Sequence, residues 1–231
     1  MQIFSVIIKG GLIMYPIVTC SVIALAVFIE RWYVLRHSRE RVRRYLKTVR
    51  KALAQGDLNG VFEVSTKHQN PASRIILAGL KKYFSGHPRE AREAMETAAS
   101  FELPFYEKRL STLVVVANVS PLLGLLGTVT GMIRTFAVIA ALGVGKPQEM
   151  AGGISEALIT TAAGLSVAIP TLVMHHYLSH LSESIIGDIE RAASEVLELI
   201  ESSTPSPQKE RGSILRESEE NVPIPAVEEE S

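Results

Sequence analysis

Three long uncharged segments constrain this chain more than any other feature of its sequence. They cover residues 10–29, 110–133 and 157–182, and each is bounded by charged residues. A helix needs roughly 20 apolar residues to cross the hydrocarbon core of a bilayer, so each segment is long enough to span a membrane. Buried helices of a soluble bundle are the alternative, but uncharged runs of this length are typical of membrane spans. We therefore predict an all-α integral membrane protein with three transmembrane helices and long helical extensions outside the membrane.

The distribution of basic residues predicts the orientation of these helices. Lys9 alone precedes the first span, whereas a dense basic run from Arg31 to Lys51 follows it. Positive charge is retained on the cytoplasmic side, so the long segment 31–109 and the C-terminus are expected in the cytoplasm and the N-terminus outside. The short connection near residues 140–150 carries only Lys146 as a basic residue and is expected outside. The first span has the pattern of a retained anchor rather than of a cleaved signal peptide.

Composition excludes several classes of function. The chain has 24 basic and 24 acidic residues and a formal net charge of zero, which gives no indication of nucleic-acid binding. The single cysteine, Cys20, lies within the first span, so no intrachain disulfide is possible. No metal-ligand spacing, nucleotide-binding glycine loop or nucleophile motif is present. We predict that the protein is not an enzyme and needs no cofactor.

Turn and capping signals divide the rest of the chain. Segment 1–30 is predicted to hold an N-terminal stretch and the first span, and 31–109 a cytoplasmic helical domain. The core of spans two and three covers 110–182, a helical extension 183–201, and a disordered tail rich in Pro, Ser and Glu 202–231.

Within the cytoplasmic domain, Asp57 is predicted to cap a helix over residues 58–67, and Asn70-Pro71 to open the next. From Arg89 we predict one helix running without a break into the second span. Pro104 and Pro121 are interpreted as kinks in it rather than ends.

Small and hydroxylated residues follow one face of the second span. Ser120, Gly124, Thr128, Gly131 and Thr135 recur at spacings of three or four residues. Gly124, Gly127 and Gly131 are interpreted as sites of close helix packing, because small residues let helix backbones approach. The threonine hydroxyls have two open alternatives, since each can line a polar pore or bond back to a carbonyl of its own helix.

The third span carries a carboxylate near its start. Glu156, Thr160 and Gly164 share one helix face, and Thr161 lies beside it. A carboxylate in a membrane is costly and normally faces protein or water, so Glu156 is a candidate for proton transfer, and Gly164 for helix packing. The alternative places Glu156 at the helix start, stabilised by the helix dipole. Arg134 is a possible ion-pair partner, and such a pair would favour a role of Glu156 in assembly over one in proton handling.

Two motifs resemble the MotA/TolQ/ExbB proton-channel family. They are PLLGLLGTVTGMIRTF at residues 121–136 and AGGISEALITTAAGLSVAIP at residues 151–170. The three spans and the long first cytoplasmic segment are similar to the ExbB and TolQ branch. The resemblance covers about residues 1–201.

This resemblance implies a proton-driven motor in the bacterial inner membrane. The chain would form a homopentamer around an ExbD-like single-span partner and energise a TonB-like protein, surrounded by membrane lipid. The polar residues of the family fall on Thr128, Glu156 and Thr161, with Thr160 as a further candidate for lining the path. A TolQ-like subunit of the Tol-Pal envelope system and a non-conducting membrane scaffold are the alternatives.

Overall fold

The computed structural model describes residues 10–143 and 147–203, and within them the chain is helical without a β-strand. A single 3₁₀ turn of the described part covers Pro88–Glu90. The α-helices, in chain order, are α1 Met14–Leu53, α2 Leu58–Lys67, α3 Pro71–Phe84, α4 Ala91–Glu102, α5 Pro104–Glu107, α6 Leu110–Leu142 and α7 Pro147–Ser203. Predictions for residues 1–9, for Lys146 and for positions 204–231 of the tail lie outside the described residues.

Helices α1, α6 and α7 are each long and apolar enough to cross a membrane. In their most apolar stretches only 17%, 33% and 28% of the residues are buried. The core helices of a soluble bundle would instead be largely covered, and so large an exposed apolar surface requires lipid or other subunits. The prediction of an all-α membrane protein with three transmembrane helices is therefore confirmed.

The described residues divide into two compact units. One contains residues 10–44 and Ser100–Glu190 and holds the three apolar helices. The other contains Tyr45–Ala99 with residues 191–203 and holds the shorter helices. Its core includes Val61, Ile76, Leu80 and Val196, and the buried Tyr45 hydroxyl lies 2.7 Å from Ser65 Oγ.

The caps predicted in the second unit are confirmed. Asp57 accepts a hydrogen bond from the Gly60 backbone N–H over 2.8 Å at the start of α2. Asn70 and Ser73 form a reciprocal capping box at the start of α3, with Pro71 in its first turn. These side chains satisfy amide groups that have no partner within the helix, so the local sequence alone determines where both helices begin.

Asn70→Ala is expected to destabilise the second unit by about 1 kcal/mol, because it removes the oxygen that accepts from the Ser73 amide. A lower thermal unfolding temperature in detergent would measure this loss. The exposed neighbouring substitution Gln69→Ala is the control and should leave the temperature unchanged. Equal temperatures for the two variants would contradict the role of the capping box.

The predicted unbroken helix from Arg89 into the second span is wrong. Helix α4 ends at Glu102, Pro104 starts the short helix α5, and Arg109 has a left-handed φ of 63° before α6 begins. Proline fits the first turn of a helix, where its missing N–H costs nothing, so Pro104 marks a new start rather than a kink. Pro121 was interpreted correctly as not ending its helix, because α6 continues through it.

The break before α6 is held by two charged residues of α1. Arg31 is only 3% exposed and donates to the carbonyl oxygens of Phe105 and Tyr106, over 2.8 and 2.9 Å. Its neighbour Glu30 forms an ion pair with Arg109. The Arg31 guanidinium thus joins α1 to the carbonyls at the end of α5. This pairing fixes where the chain leaves α5 and enters the second span.

The helix of the third span continues far beyond its apolar segment. Helix α7 is unbroken from Pro147 to Ser203 and passes through Pro170. Its later residues keep an apolar stripe that is buried at Ile185, Ile189, Ala192, Val196 and Ile200. Burial of one helix face at every third or fourth residue explains why this segment remains helical after the span.

Candidate functional site

Helices α6 and α7 pack along a seam of small residues. A Cβ added to Gly124 would lie 3.0 Å from Thr160 O and from Thr161 Cα. One added to Gly131 would lie 2.7 Å from Gly153 O, and one on Gly164 would lie 2.5 Å from Ser120 O. These neighbours are backbone atoms, which cannot rotate away. The two helices therefore approach to a distance that only glycine permits at these positions.

Other glycines of the seam lie against threonine side chains. A Cβ on Gly127 would overlap the side chain of Thr160, and one on Gly153 would overlap Thr135 Oγ1. Gly153 was not singled out from the sequence. The sequence feature that indicates it is the pair Gly152-Gly153, which lies one helix turn before Glu156 on the same helix.

The three candidate threonines use their hydroxyl groups differently. Thr161 donates to Gly124 O over 3.1 Å and so joins the two helices. The buried Thr160 donates within its own helix, to Glu156 O over 3.1 Å and Ala157 O over 2.9 Å. Thr128, half-buried, donates to Leu125 O over 2.6 Å. In this structure Thr161 therefore has a packing role, whereas Thr128 and Thr160 are bonded to carbonyls of their own helices.

Glu156 lies in the part of the seam near the end of α6, where Arg134 is located. Its side chain is only 15% exposed, and Glu156 Oε2 lies 2.5 Å from Arg134 Nη1. The Arg134 side chain is 63% exposed. The pair therefore joins a largely covered carboxylate on α7 to a guanidinium on α6 that reaches the surface of this chain. The pair links α6 to α7, and by the sequence argument a pair here favours a role of Glu156 in assembly over one in proton handling.

The position of Glu156 along α7 excludes the helix-dipole alternative. The helix begins at Pro147, so Glu156 lies well inside it. The dipole stabilises negative charge only within about the first turn of a helix. Arg134 is instead the group that compensates the charge of Glu156 in this chain.

A third element also reaches Glu156, and sequence reasoning missed it. Gly11, in the turn before α1, is placed so that a Cβ there would overlap Glu156 Oε1. Its φ of +65° is left-handed. No local pattern connects Gly11 to a residue so far along the chain, so only the tertiary structure shows the contact.

Carboxylates are scarce in the sequence of the two spans that form the seam. Between residues 110 and 182 the sequence contains two carboxylates, Glu149 and Glu156. A proton path through a bilayer needs a series of titratable groups or waters, and intramembrane carboxylates are the usual carriers. One such group in the seam would supply a single step of a path. A complete path would need further groups from outside the seam.

Comparison with known proteins agrees with this geometry. Residues 67–191 match the MotA/TolQ/ExbB proton channel family. The chain is 36% identical over 167 residues to the biopolymer transport protein named ExbB-like 3 of Synechocystis sp., covering 71% of this chain and 79% of that protein. ExbB-like 1 of the same organism is 37% identical over 84% of this chain and 76% of its own length.

The similarity extends to proteins named for a second system. The Tol-Pal system protein TolQ of Haemophilus influenzae is 29% identical over 181 residues, covering 73% of this chain and 78% of that protein. The matched family region contains the whole α6–α7 seam and Glu156. The chain therefore belongs to the MotA/TolQ/ExbB proton channel family.

Proposed function

We propose that this chain is the ExbB-like subunit of a proton-driven motor in the bacterial inner membrane. With an ExbD-like partner it would use the proton motive force to energise TonB-dependent transport across the outer membrane. The observation that carries the proposal is Glu156, a largely covered carboxylate in a close-packed transmembrane seam of a proton channel family member. A buried carboxylate within a membrane is costly and is normally retained for a function.

Assembly with other subunits follows from what one chain lacks. Glu156 is a single titratable step, so a path across the membrane needs a carboxylate on a partner helix. The exposed apolar side chains of all three spans provide surfaces for further copies and for lipid; they include Val22, Leu25, Leu122, Ile133, Leu158 and Val173. A homopentamer around the single spans of an ExbD-like partner is the arrangement that we propose.

The basic run after the first span supports the orientation. Arg31 to Lys51 would lie on the cytoplasmic side, which places the N-terminus in the periplasm and the C-terminus in the cytoplasm. Glu156 and Arg134 are then near the periplasmic ends of their spans. Protons from the periplasm would reach Glu156 first, as the direction of the proton motive force requires.

The ion pair suggests how Glu156 would work. A proton that arrives from the periplasm binds a Glu156 carboxylate oxygen and neutralises it, which removes the attraction to Arg134. The exposed Arg134 guanidinium is then free to attract an acidic group of the partner. Transfer of the proton from Glu156 to that group restores the pair. The pair would therefore serve both assembly and proton transfer, at different steps.

The rival proposals make different predictions. Relatives named ExbB-like are 36% and 37% identical to the chain and one named TolQ 29%, but relatives named exbB1 and ExbB are 27% and 25% identical, so identity does not separate the ExbB-like role from a TolQ-like one. Native mass spectrometry of the complex extracted mildly from its own membrane tests the rival proposals. A ring that contains a small single-span partner with a membrane aspartate would support the motor, and the partner's periplasmic domain would separate the two roles. A bare ring, or no proton flux sensitive to an uncoupler in vesicles, would favour a scaffold.

Thr161→Val is expected to weaken the complex more than Thr128→Val does. The Thr161 hydroxyl bonds across the seam to Gly124 O, whereas Thr128 bonds within its own helix. Hydrogen bonds between membrane helices contribute about 0.6 kcal/mol on average, so the expected loss is small but measurable as a lower unfolding temperature. Proton flux should instead fall more for Thr128→Val if that residue lines the path. Equal effects of both substitutions on stability and flux would contradict the distinction.

A further inference from the structure

The turn before the first span lies directly against the carboxylate site. A Cβ on Gly10 would lie 3.5 Å from Ile159 Cγ2, one turn along α7 from Glu156. A Cβ on Gly11 would overlap Glu156 Oε1 and lie 2.8 Å from its Cδ. Gly10 is buried, and Gly11 is half-buried. These two glycines therefore cover one turn of α7 that contains the candidate proton-carrying residue.

The two oxygens of Glu156 have different neighbours. Oε2 is bonded to Arg134 on α6, and Oε1 lies against the backbone of Gly11 before α1. The carboxylate is thus enclosed by α6, by α7 itself and by the chain that enters the first span. We propose that Gly11 is a positioning residue, whose missing side chain lets the turn hold the Glu156 carboxylate toward Arg134.

Gly11 meets two separate requirements. Its left-handed φ of +65° is one that other residues adopt only with strain. In addition, any side chain at this position would enter the space that Glu156 occupies. Turn geometry alone requires only the first property. The absence of a side chain is what positions the carboxylate. Two other glycines of the chain serve as controls that separate this effect from backbone strain.

Gly56 is the control for backbone strain, and Gly10 is the control for the turn. Gly56 has a φ of +68°, close to that of Gly11, and a Cβ there would have no neighbour within 4 Å. Gly10 has no left-handed φ, and the nearest atom to its Cβ would be the flexible Met14 Cε at 2.9 Å. Gly56→Ala therefore introduces the strain without the collision, and Gly10→Ala places a methyl group in the same turn without displacing Glu156.

The experiment uses the complete complex in its native membrane and measures modification of Glu156 by dicyclohexylcarbodiimide. This apolar reagent reacts with protonated carboxyl groups in membranes, and peptide mass spectrometry quantifies the product. Gly11→Ala should raise the modification of Glu156 several-fold, because the displaced carboxyl group loses its bond to Arg134. Gly10→Ala and Gly56→Ala should leave the modification as it is in the unchanged protein.

Rescue by a shorter side chain tests the geometry. Glu156→Asp removes one methylene and withdraws the carboxylate from Gly11. In that background, Gly11→Ala should change carbodiimide modification no more than Gly56→Ala does. If Glu156 is modified to the same extent in Gly11→Ala as in the two control variants, the turn does not position the carboxylate and the proposal is overturned.

A failure of Gly11→Ala to assemble also has a decisive follow-up. The double variant Gly11→Ala/Glu156→Ala removes the side chain that collides, so recovery of assembly would support the proposal. A double variant that still does not assemble would overturn it, since the defect would then come from the turn alone. The positioning role of Gly11 rests on the proposed function only in that Glu156 would then carry protons. Absent proton flux in the unchanged complex would remove the motor function but leave the modification result intact.

Discussion

Glu156→Gln is expected to abolish proton-dependent work by the complex while the complex remains assembled. Glutamine has the size of glutamate, and its amide oxygen can still accept a hydrogen bond from Arg134. It cannot take up and release a proton at neutral pH. Glu156→Ala should have the same effect on transport, because Arg134 is largely exposed and its unpaired charge can be solvated. The measurement is uncoupler-sensitive proton flux in vesicles that hold the complete complex.

Variants of Arg134 separate the two roles of the ion pair. Arg134→Gln should weaken the α6–α7 contact and leave a carboxylate in place, so partial flux is expected. The exchange Arg134→Glu/Glu156→Arg should restore the pair and assembly, but it moves the carboxylate to the exposed position and should not restore flux. Normal flux in Glu156→Gln, or loss of the ring in that variant, would assign Glu156 to structure alone.

Gly164→Val should disrupt the packing of α6 against α7 more than any other single substitution proposed for this chain. A Cβ at Gly164 would lie 2.5 Å from Ser120 O and 3.2 Å from Gly124 Cα. Both are backbone atoms of α6, so relief requires the helices to separate along the seam. Overpacking of a close contact typically costs about 1–3 kcal/mol, and a branched side chain against a backbone is expected at or above that range.

The fraction of assembled complex after size-exclusion chromatography, and its unfolding temperature in detergent, measure this effect. Gly187→Val is the matched control, because a Cβ added at Gly187, in the same helix, would contact no other part of the described chain within 4 Å. Gly164→Val should lower both quantities, and Gly187→Val should change them little. Equal behaviour of the two variants would show that the seam tolerates a wider spacing than the structure has.

The local sequence was sufficient wherever a feature depends on neighbouring residues. The three spans follow from uninterrupted apolar length, and the ends of α2 and α3 follow from Asp57 and Asn70. The break before α6 was missed, because Pro104 fits either a kink or a helix start. The left-handed φ at Arg109 could not be predicted from the sequence, because glycine is the residue that usually indicates such a conformation. The contacts that stabilise this break come from Glu30 and Arg31, which lie more than seventy residues earlier in the chain.

The candidate site shows the same division. Helical periodicity alone placed Gly124, Gly131 and Gly164 on seam-forming faces, because residues three and four apart share a helix face. It did not show that Thr161 bonds to Gly124 while Thr128 and Thr160 bond to their own helices. A hydroxyl in a span has both options, and the distance to the neighbouring helix decides between them.

The sequence by itself determined that this chain is a three-span helical membrane protein with a carboxylate in its third span, because apolar length and spacing are local properties. The sequence named Arg134 as a possible partner of Glu156, and only the tertiary structure decided that the pair forms and that Gly11 lies against the same carboxylate. Gly11 is far from both of these residues in the chain and shares no sequence pattern with them. The three residues meet because glycine contacts bring α6 and α7 together, while a left-handed glycine lets the chain entering α1 close over the same turn of α7.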